Sequence, residues 1–241
     1  DMVVFSQAQY GQAVLPLTGK LTDLNAEELQ ALRRKNILRD NLPLLEHINA
    51  NAVTVSAFRV ETQRKNNVCF DTTLRVGEDV RFLAQFLYAA RNVAYLDASL
   101  YLYRVNEGSV SLRYCPGLIQ ANKAYLSGLR ALVARYYPED RRMADLVKAR
   151  ALSTAAASMQ LETCHPDNKK PYGERKRQFK ELMADEMIAD ALRTCPRELN
   201  SRNVKLYRVF MPRGWFFATN AFARLIMAKR YWVFGRRGGK K

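Results

Sequence analysis

The tripeptide Gly77-Glu78-Asp79 stands directly before a run in which Val80, Leu83, Leu87 and Ala90 share one helical face. Glycine permits a tight turn there, and a helix start favours ionised carboxylates because its peptide dipoles leave positive charge at that end. An ionised Asp79 on such a turn can act as a general base once an acceptor hydroxyl comes within hydrogen-bond distance. The same two acids also serve as plain capping and dipole-complementing groups, for which a first turn is their favoured place. Both readings stay open on the tripeptide alone. Other chemistry-bearing residues are sparse. His47 and His165 are isolated and read as surface or helix-face residues. Cys69, Cys115, Cys164 and Cys195 are widely spaced, without a C-x-x-C pair or a nearby histidine, and read as reduced thiols.

The elements that must position Asp79 follow from pattern. A helix is predicted from Val80 to about Arg91, followed by two short strands, Val93–Leu96 and Leu100–Tyr103, separated by Asp97-Ala98-Ser99. The opening Asp1-Met2-Val3-Val4-Phe5 is an apolar run typical of a buried strand, and so core-like a beginning points to a piece of something longer. A turn-rich stretch holds Gly11, Pro16 and Gly19. Asn25 can cap a helix over Ala26–Leu32, whose Glu27 and Glu28 suit its positive start. A short helix or turn is expected at Pro43–Ile48, a strand or extended connector at Val53–Ser56, and a turn at Gly108. Beyond Pro116 the spacing predicts long helices over Ile119–Tyr136, Arg141–Leu161 and Phe179–Leu192, with Lys169–Arg177 as a solvated loop and Met159, Met183 and Met187 in the core. The expected fold class is α/β, a few strands with flanking helices, followed by an all-helical C-terminal extension. The expected divisions are 1–117, 118–200 and 201–241.

Composition narrows the function. With 241 residues, 48% of them hydrophobic, the chain can bury a core, which excludes wholesale disorder. No uninterrupted apolar stretch of about 18 residues exists, so a membrane-spanning bundle is excluded. The opening carries no charged-then-apolar leader, and a cytosolic setting is expected. The formal charge of +16 is uneven: net +1 over residues 1–117, +4 over 118–200 and +11 over 201–241, where no acidic residue occurs. That tail calls for an anionic partner.

Four segments in order carry a resemblance. Asn67-Val68-Cys69-Phe70-Asp71, then Gly77-Glu78-Asp79-Val80-Arg81-Phe82, then Tyr95-Leu96, then Leu100-Tyr101-Leu102-Tyr103-Arg104-Val105-Asn106-Glu107-Gly108-Ser109-Val110-Ser111 resemble the glycosyltransferase family 2 domain of GT-A type. There a phenylalanine-ended strand precedes a G-E-D or E-D turn, a helix and a Y-x-Y-R segment. The opening run is similar to a strand in the second half of such domains, so residues 1–117 resemble the acceptor-side half. The resemblance implies inverting transfer from a nucleotide-sugar donor to a glycan or lipid-linked acceptor, in assembly of a cell-surface polysaccharide. Asp79 would be the base and Glu78 would shape the site, while Arg104 and Ser109 would lie on the segment that closes over the donor. The family's donor half holds a divalent metal, Mg or Mn, through a D-x-D motif. This chain contains no D-x-D. The expectation is that the donor site lies outside the chain, that no metal is bound by it, and that the segment alone has little or no activity.

The tail interleaves Tyr207, Phe210, Trp215, Phe216, Phe217, Phe222, Tyr231, Trp232 and Phe234 with Arg208, Arg213, Arg224, Lys229, Arg230, Arg236 and Arg237. Between Gly214 and Ala228 the only charge is Arg224, and fifteen helical residues reach only about 22 Å. An amphipathic helix lying on anionic lipid suits this pattern. Trp215, Phe216, Phe217, Arg224, Lys229, Arg230 and Trp232 would then touch the membrane, placing the protein peripherally at the inner face. Two other readings stand beside it. One packs the aromatics onto the domain with the cations solvated, and the other stacks the tail on nucleic acid, which the near-neutral remainder of the chain disfavours. A non-enzymatic membrane-surface adaptor or relic domain is the alternative to the transferase.

Overall fold

The computed structural model describes residues 1–9, 18–38, 48–104 and 113–238. The opening apolar run forms β1 (Met2–Gln9). With β2 (Leu21–Asp23), β3 (Ser56–Phe58) and β4 (Val93–Tyr103) it builds one sheet in the order β2-β4-β1-β3. β1 and β4 are parallel, and the two outer pairings are antiparallel. Parallel neighbours need a crossover, and α1 (Ala26–Ile37), α2 (Val60–Lys65) and α3 (Glu78–Ala89) lie within it. Leu29 and Leu32 of α1, with Leu83, Phe86 and Leu87 of α3, close over Met2, Val4 and Val93 as one buried cluster.

Asn25 caps α1 as its sequence foretells. Its side chain accepts from the Glu28 amide at 3.0 Å while Glu28 accepts from the Asn25 amide at 2.8 Å, a reciprocal capping box. The two predicted strands around Asp97 are a single strand. Phe5 pairs with Leu96, Ser6 with Ser99 and Gln7 with Tyr101, so Asp97 and Ala98 are bulged out of the β1 ladder. The Thr18 amide and hydroxyl donate to the Asp97 carboxylate at 3.0 and 2.6 Å, and the Asp97 amide donates to the Lys20 carbonyl at 2.9 Å. A polar residue satisfied this way need not end a strand. Val53–Ser56 resolves into a 3₁₀ turn, Val53–Val55, that feeds β3.

The helical extension comprises α4 (Leu118–Tyr136), α5 (Arg141–Ser158), α6 (Tyr172–Met183), α7 (Glu186–Thr194), α8 (Arg202–Phe210) and α9 (Phe216–Gly238). A π-helical turn, Met159–Thr163, prolongs α5. The chain is therefore α/β followed by helices. It divides into two compact units, Asp1–Val105 with Gly128–Met143, and Asn106–Ser127 with Ala144–Lys241.

Three expectations are corrected in the second unit. Tyr172–Arg177 is the first half of α6 rather than loop, and its charges pair along the helix, Arg177 with Glu181 at 3.9 Å. The helix expected over Phe179–Leu192 is broken at Asp185, which caps α7 by accepting from the Met187 and Ile188 amides at 3.2 and 3.3 Å. His165 is fully buried, its Nε2 at 3.1 Å from the Tyr231 hydroxyl. Met159 is fully buried, and Met183 and Met187 are half-buried. Gly11, Pro16, His47, most of Pro43–Ile48 and the Gly108 turn lie outside the described residues.

Candidate active site

Gly77 adopts φ +77°, left-handed backbone that a side chain would strain, and it caps α3. The turn leaves Glu78 and Asp79 as the first two residues of the helix. Topology then sets their place. The far end of α3 feeds β4 through a short connection, where the Asp1 carboxylate accepts the Arg91 and Asn92 amides at 3.0 and 3.1 Å. The Val53–Val55 turn packs against β1 and β4 and sets the Val53 amide beside Asp79, where it favours the ionised carboxylate. Because Ser56 pairs with Val4, Val53 lies toward the carboxyl end of β1. Asp79 thus lies toward the carboxyl end of β1, the end at which open α/β sheets place their ligands.

The Asp79 carboxyl titrates above the ordinary aspartate range. Partial burial disfavours its charge most, the neighbouring Glu78 adds repulsion, and the Val53 amide opposes both. Among the described residues it forms no ion pair. The nearest arginine along the helix is committed elsewhere. Arg81 pairs with Asp71, whose carboxylate also accepts the Thr73 amide at 3.0 Å and the Thr73 hydroxyl. Those Thr73 bonds, with Arg81 beside them, hold Asp71 below its ordinary range. The Arg81 guanidinium also covers Gly128, where an added Cβ would meet Nη1 at 2.9 Å.

The segment from Asn67 to Asp71 is not a strand. Asn67 sits at φ +52° and Asp71 turns back onto Thr73, so the run is a loop. Its phenylalanine still has a defined place. The Phe70 ring stacks on Phe82 at 4.3 Å and stays 44% exposed, one helical turn from Asp79. In the sequence Phe70 stands only as the end of an expected strand, with no role of its own. A second polar group was missed as well: Ser6 Oγ lies 3.0 Å from the Tyr95 hydroxyl, which donates to Asp97 at 3.4 Å, beside the bulge. The signal that could have found it is Asp97 itself, a carboxylate interrupting a strand pattern. Arg104 is exposed immediately beyond β4. Ser109 lies outside the described residues.

Among the described residues no group of three or more His, Cys, Asp or Glu side chains could hold a metal. The donors of this site do not fit a divalent ion.

The tail residues divide. Trp215, Phe217, Arg224, Lys229 and Trp232 are exposed, and Arg230 is half-buried with Nη1 at 3.3 Å from Gln160 Oε1. Phe216 is corrected: at 2% exposure it packs between Tyr172 and Phe179 and cannot touch a membrane. No described helix is long and apolar enough to cross a bilayer.

No family model matches the sequence, and no curated protein matches it. Among solved structures the chain is similar to S. aureus TarS 1–349 in complex with UDP-GlcNAc, with a TM-score of 0.48 and 13% identity. The match covers 93% of this chain and 58% of that one. A likeness of that degree decides neither family nor chemistry.

Proposed function

We propose that this chain is the acceptor-side part of an inverting, nucleotide-sugar-dependent glycosyltransferase of family 2. Asp79 takes the proton of the acceptor hydroxyl as that oxygen bonds to the anomeric carbon. The bond from that carbon to the nucleotide diphosphate breaks, and one displacement inverts the centre. The observation that carries the reading is the state of Asp79: half-buried in the first turn of α3 beside the Val53 turn, and without a cationic partner among the described residues. A base works best with a pKa raised toward the working pH. The ordered motifs from Asn67 to Ser111 add the choice of family. Phe70 offers its exposed face to an acceptor ring, and Arg104 is assigned to the donor diphosphate. The residues present supply no D-x-D, so the donor and its metal are held by other parts of the enzyme.

The test is a transfer assay on the full reading frame that contains this chain, with a panel of labelled nucleotide sugars and membrane extract as acceptor. Label should move from at least one donor into acceptor, and the new linkage should have the anomeric configuration opposite to the donor. No transfer from any donor, or retained configuration, overturns the proposal and favours the adaptor.

A further inference from the structure

Helix α9 is apolar on two sides. Its inner side, Phe216, Thr219, Ala223 and Met227, is at most 2% exposed. On the outer side Phe217, Ala221, Leu225, Ala228 and Trp232 recur at the spacing of a single helical stripe, and all five are exposed. Phe217 is 75%, Leu225 66% and Trp232 58% exposed. The inner face already fills the core, so folding does not call for the outer one. Contiguous exposed apolar surface of this kind marks an interaction site.

Cations frame the stripe. Trp215 stands exposed just before the helix start, with the Arg213 guanidinium 5.5 Å from the indole centre. Arg224 and Lys229 are exposed along it. Two shallow clefts meet at Gly214: one of about 320 Å³ sets Lys180 and Arg193 beside Met183 and Leu192, and one of about 380 Å³ sets Lys176 beside Tyr172 and Trp215.

We propose that this surface docks on an anionic lipid bilayer. α9 lies in the plane of the interface, with Trp215, Phe217, Leu225 and Trp232 at the headgroup–acyl boundary and Arg213, Arg224 and Lys229 on lipid phosphates. Charge selects this occupant. Residues 201–241 hold 11 basic and no acidic side chains, so a second copy of the same face would meet its own field. Single-stranded nucleic acid wants stacking platforms in series, whereas here Leu225 and two alanines fill the middle of the stripe. From Phe217 to Trp232 the helix covers about 22 Å, enough to lie along a membrane and too little to cross it. The inference stands on the second unit alone and does not depend on Asp79.

The experiment is co-sedimentation of the intact chain with phosphatidylcholine vesicles, with and without phosphatidylserine. Binding should require the anionic lipid, fall with salt, and be unaffected by inorganic phosphate at matched ionic strength. Phe217→Ser/Leu225→Ser/Trp232→Ser should lose at least about tenfold in partitioning. Arg213→Gln/Arg224→Gln/Lys229→Gln leaves Phe217, Leu225 and Trp232 in place and should lose about 10²-fold, with a flatter salt dependence. Circular dichroism of both variants should match the parent. The proposal is overturned by equal binding to neutral vesicles, by variants that bind like the parent, or by displacement with inorganic phosphate. Tighter binding to a single-stranded oligonucleotide at the same salt, or a stripe-dependent dimer that ignores vesicles, also overturns it.

Discussion

Glu162 is a buried carboxylate that ties two parts of the second unit together. It lies in the π-helical turn at 5% exposure, and its two oxygens accept the Gly117 amide at 2.9 Å and the Ile119 amide at 2.7 Å. Those amides are among the donors that α4 cannot satisfy internally, so Glu162 is a cap supplied from a distant part of the chain. Glu162→Gln keeps one acceptor but turns an NH₂ toward the second amide. A hydrogen bond to a charged group contributes about 1.5–3 kcal/mol, and the lost interaction with the helix start adds about 0.3–1 kcal/mol. The expected cost is therefore about 2–4 kcal/mol, and Glu162→Ala, which also leaves a cavity, should cost about 3–5 kcal/mol. Both tryptophans, Trp215 and Trp232, belong to the second unit, so their fluorescence reports its unfolding separately from the first. In guanidinium titrations the midpoint should fall with the slope unchanged. Glu174→Gln, which removes half of an exposed helix pair, should change stability by less than about 0.5 kcal/mol. If Glu162→Gln costs no more than Glu174→Gln, the capping argument is wrong.

The remaining expectations concern thiols and pH. Of the four cysteines only Cys69 is exposed, and burial pushes the Cys164 thiol up to about 12. An aromatic disulfide reagent should consume one thiol per native chain quickly and the other three only on unfolding; two fast thiols would contradict the burial described. Asp79 should carry a stability cost when ionised. Because its folded pKa is raised, its contribution is favourable below the ordinary aspartate value and is lost as pH rises through the raised one. Asp79→Asn should accordingly be at least as stable as the parent near neutral pH, with the difference shrinking toward about pH 4. A variant clearly less stable at neutral pH would make Asp79 a structural cap.

Legibility in the sequence followed locality. The Asn25 cap and the Gly77 turn are set by residues within four positions of each other, and both were readable. So was β1, whose apolar run is long enough to mark a buried strand. The Asp97 bulge was misread as a break, because Asp97 is satisfied by Thr18 and Lys20 nearly eighty positions away. Phe216 and Phe217 are neighbours of one type with opposite fates, since only the packing of Tyr172 and Phe179 decides which faces inward. Asp185 was a missed local signal: an aspartate followed by an acidic residue inside a helical pattern is a new N-cap. For the site, Asp79 and its turn were visible. The Val53 amide and the Asp71–Arg81 pairing that leaves Asp79 without a cation were not, because both arise from loop packing.

The most direct measurement is the steady-state transfer rate of the full enzyme with Asp79→Asn and Asp79→Glu beside the parent, with acceptor affinity measured separately. If Asp79 is the base, Asp79→Asn should lower kcat by about 10²–10⁴ with the acceptor KM little changed. Asp79→Glu should keep part of the rate. An Asp79→Asn enzyme within a few-fold of the parent would contradict the assignment.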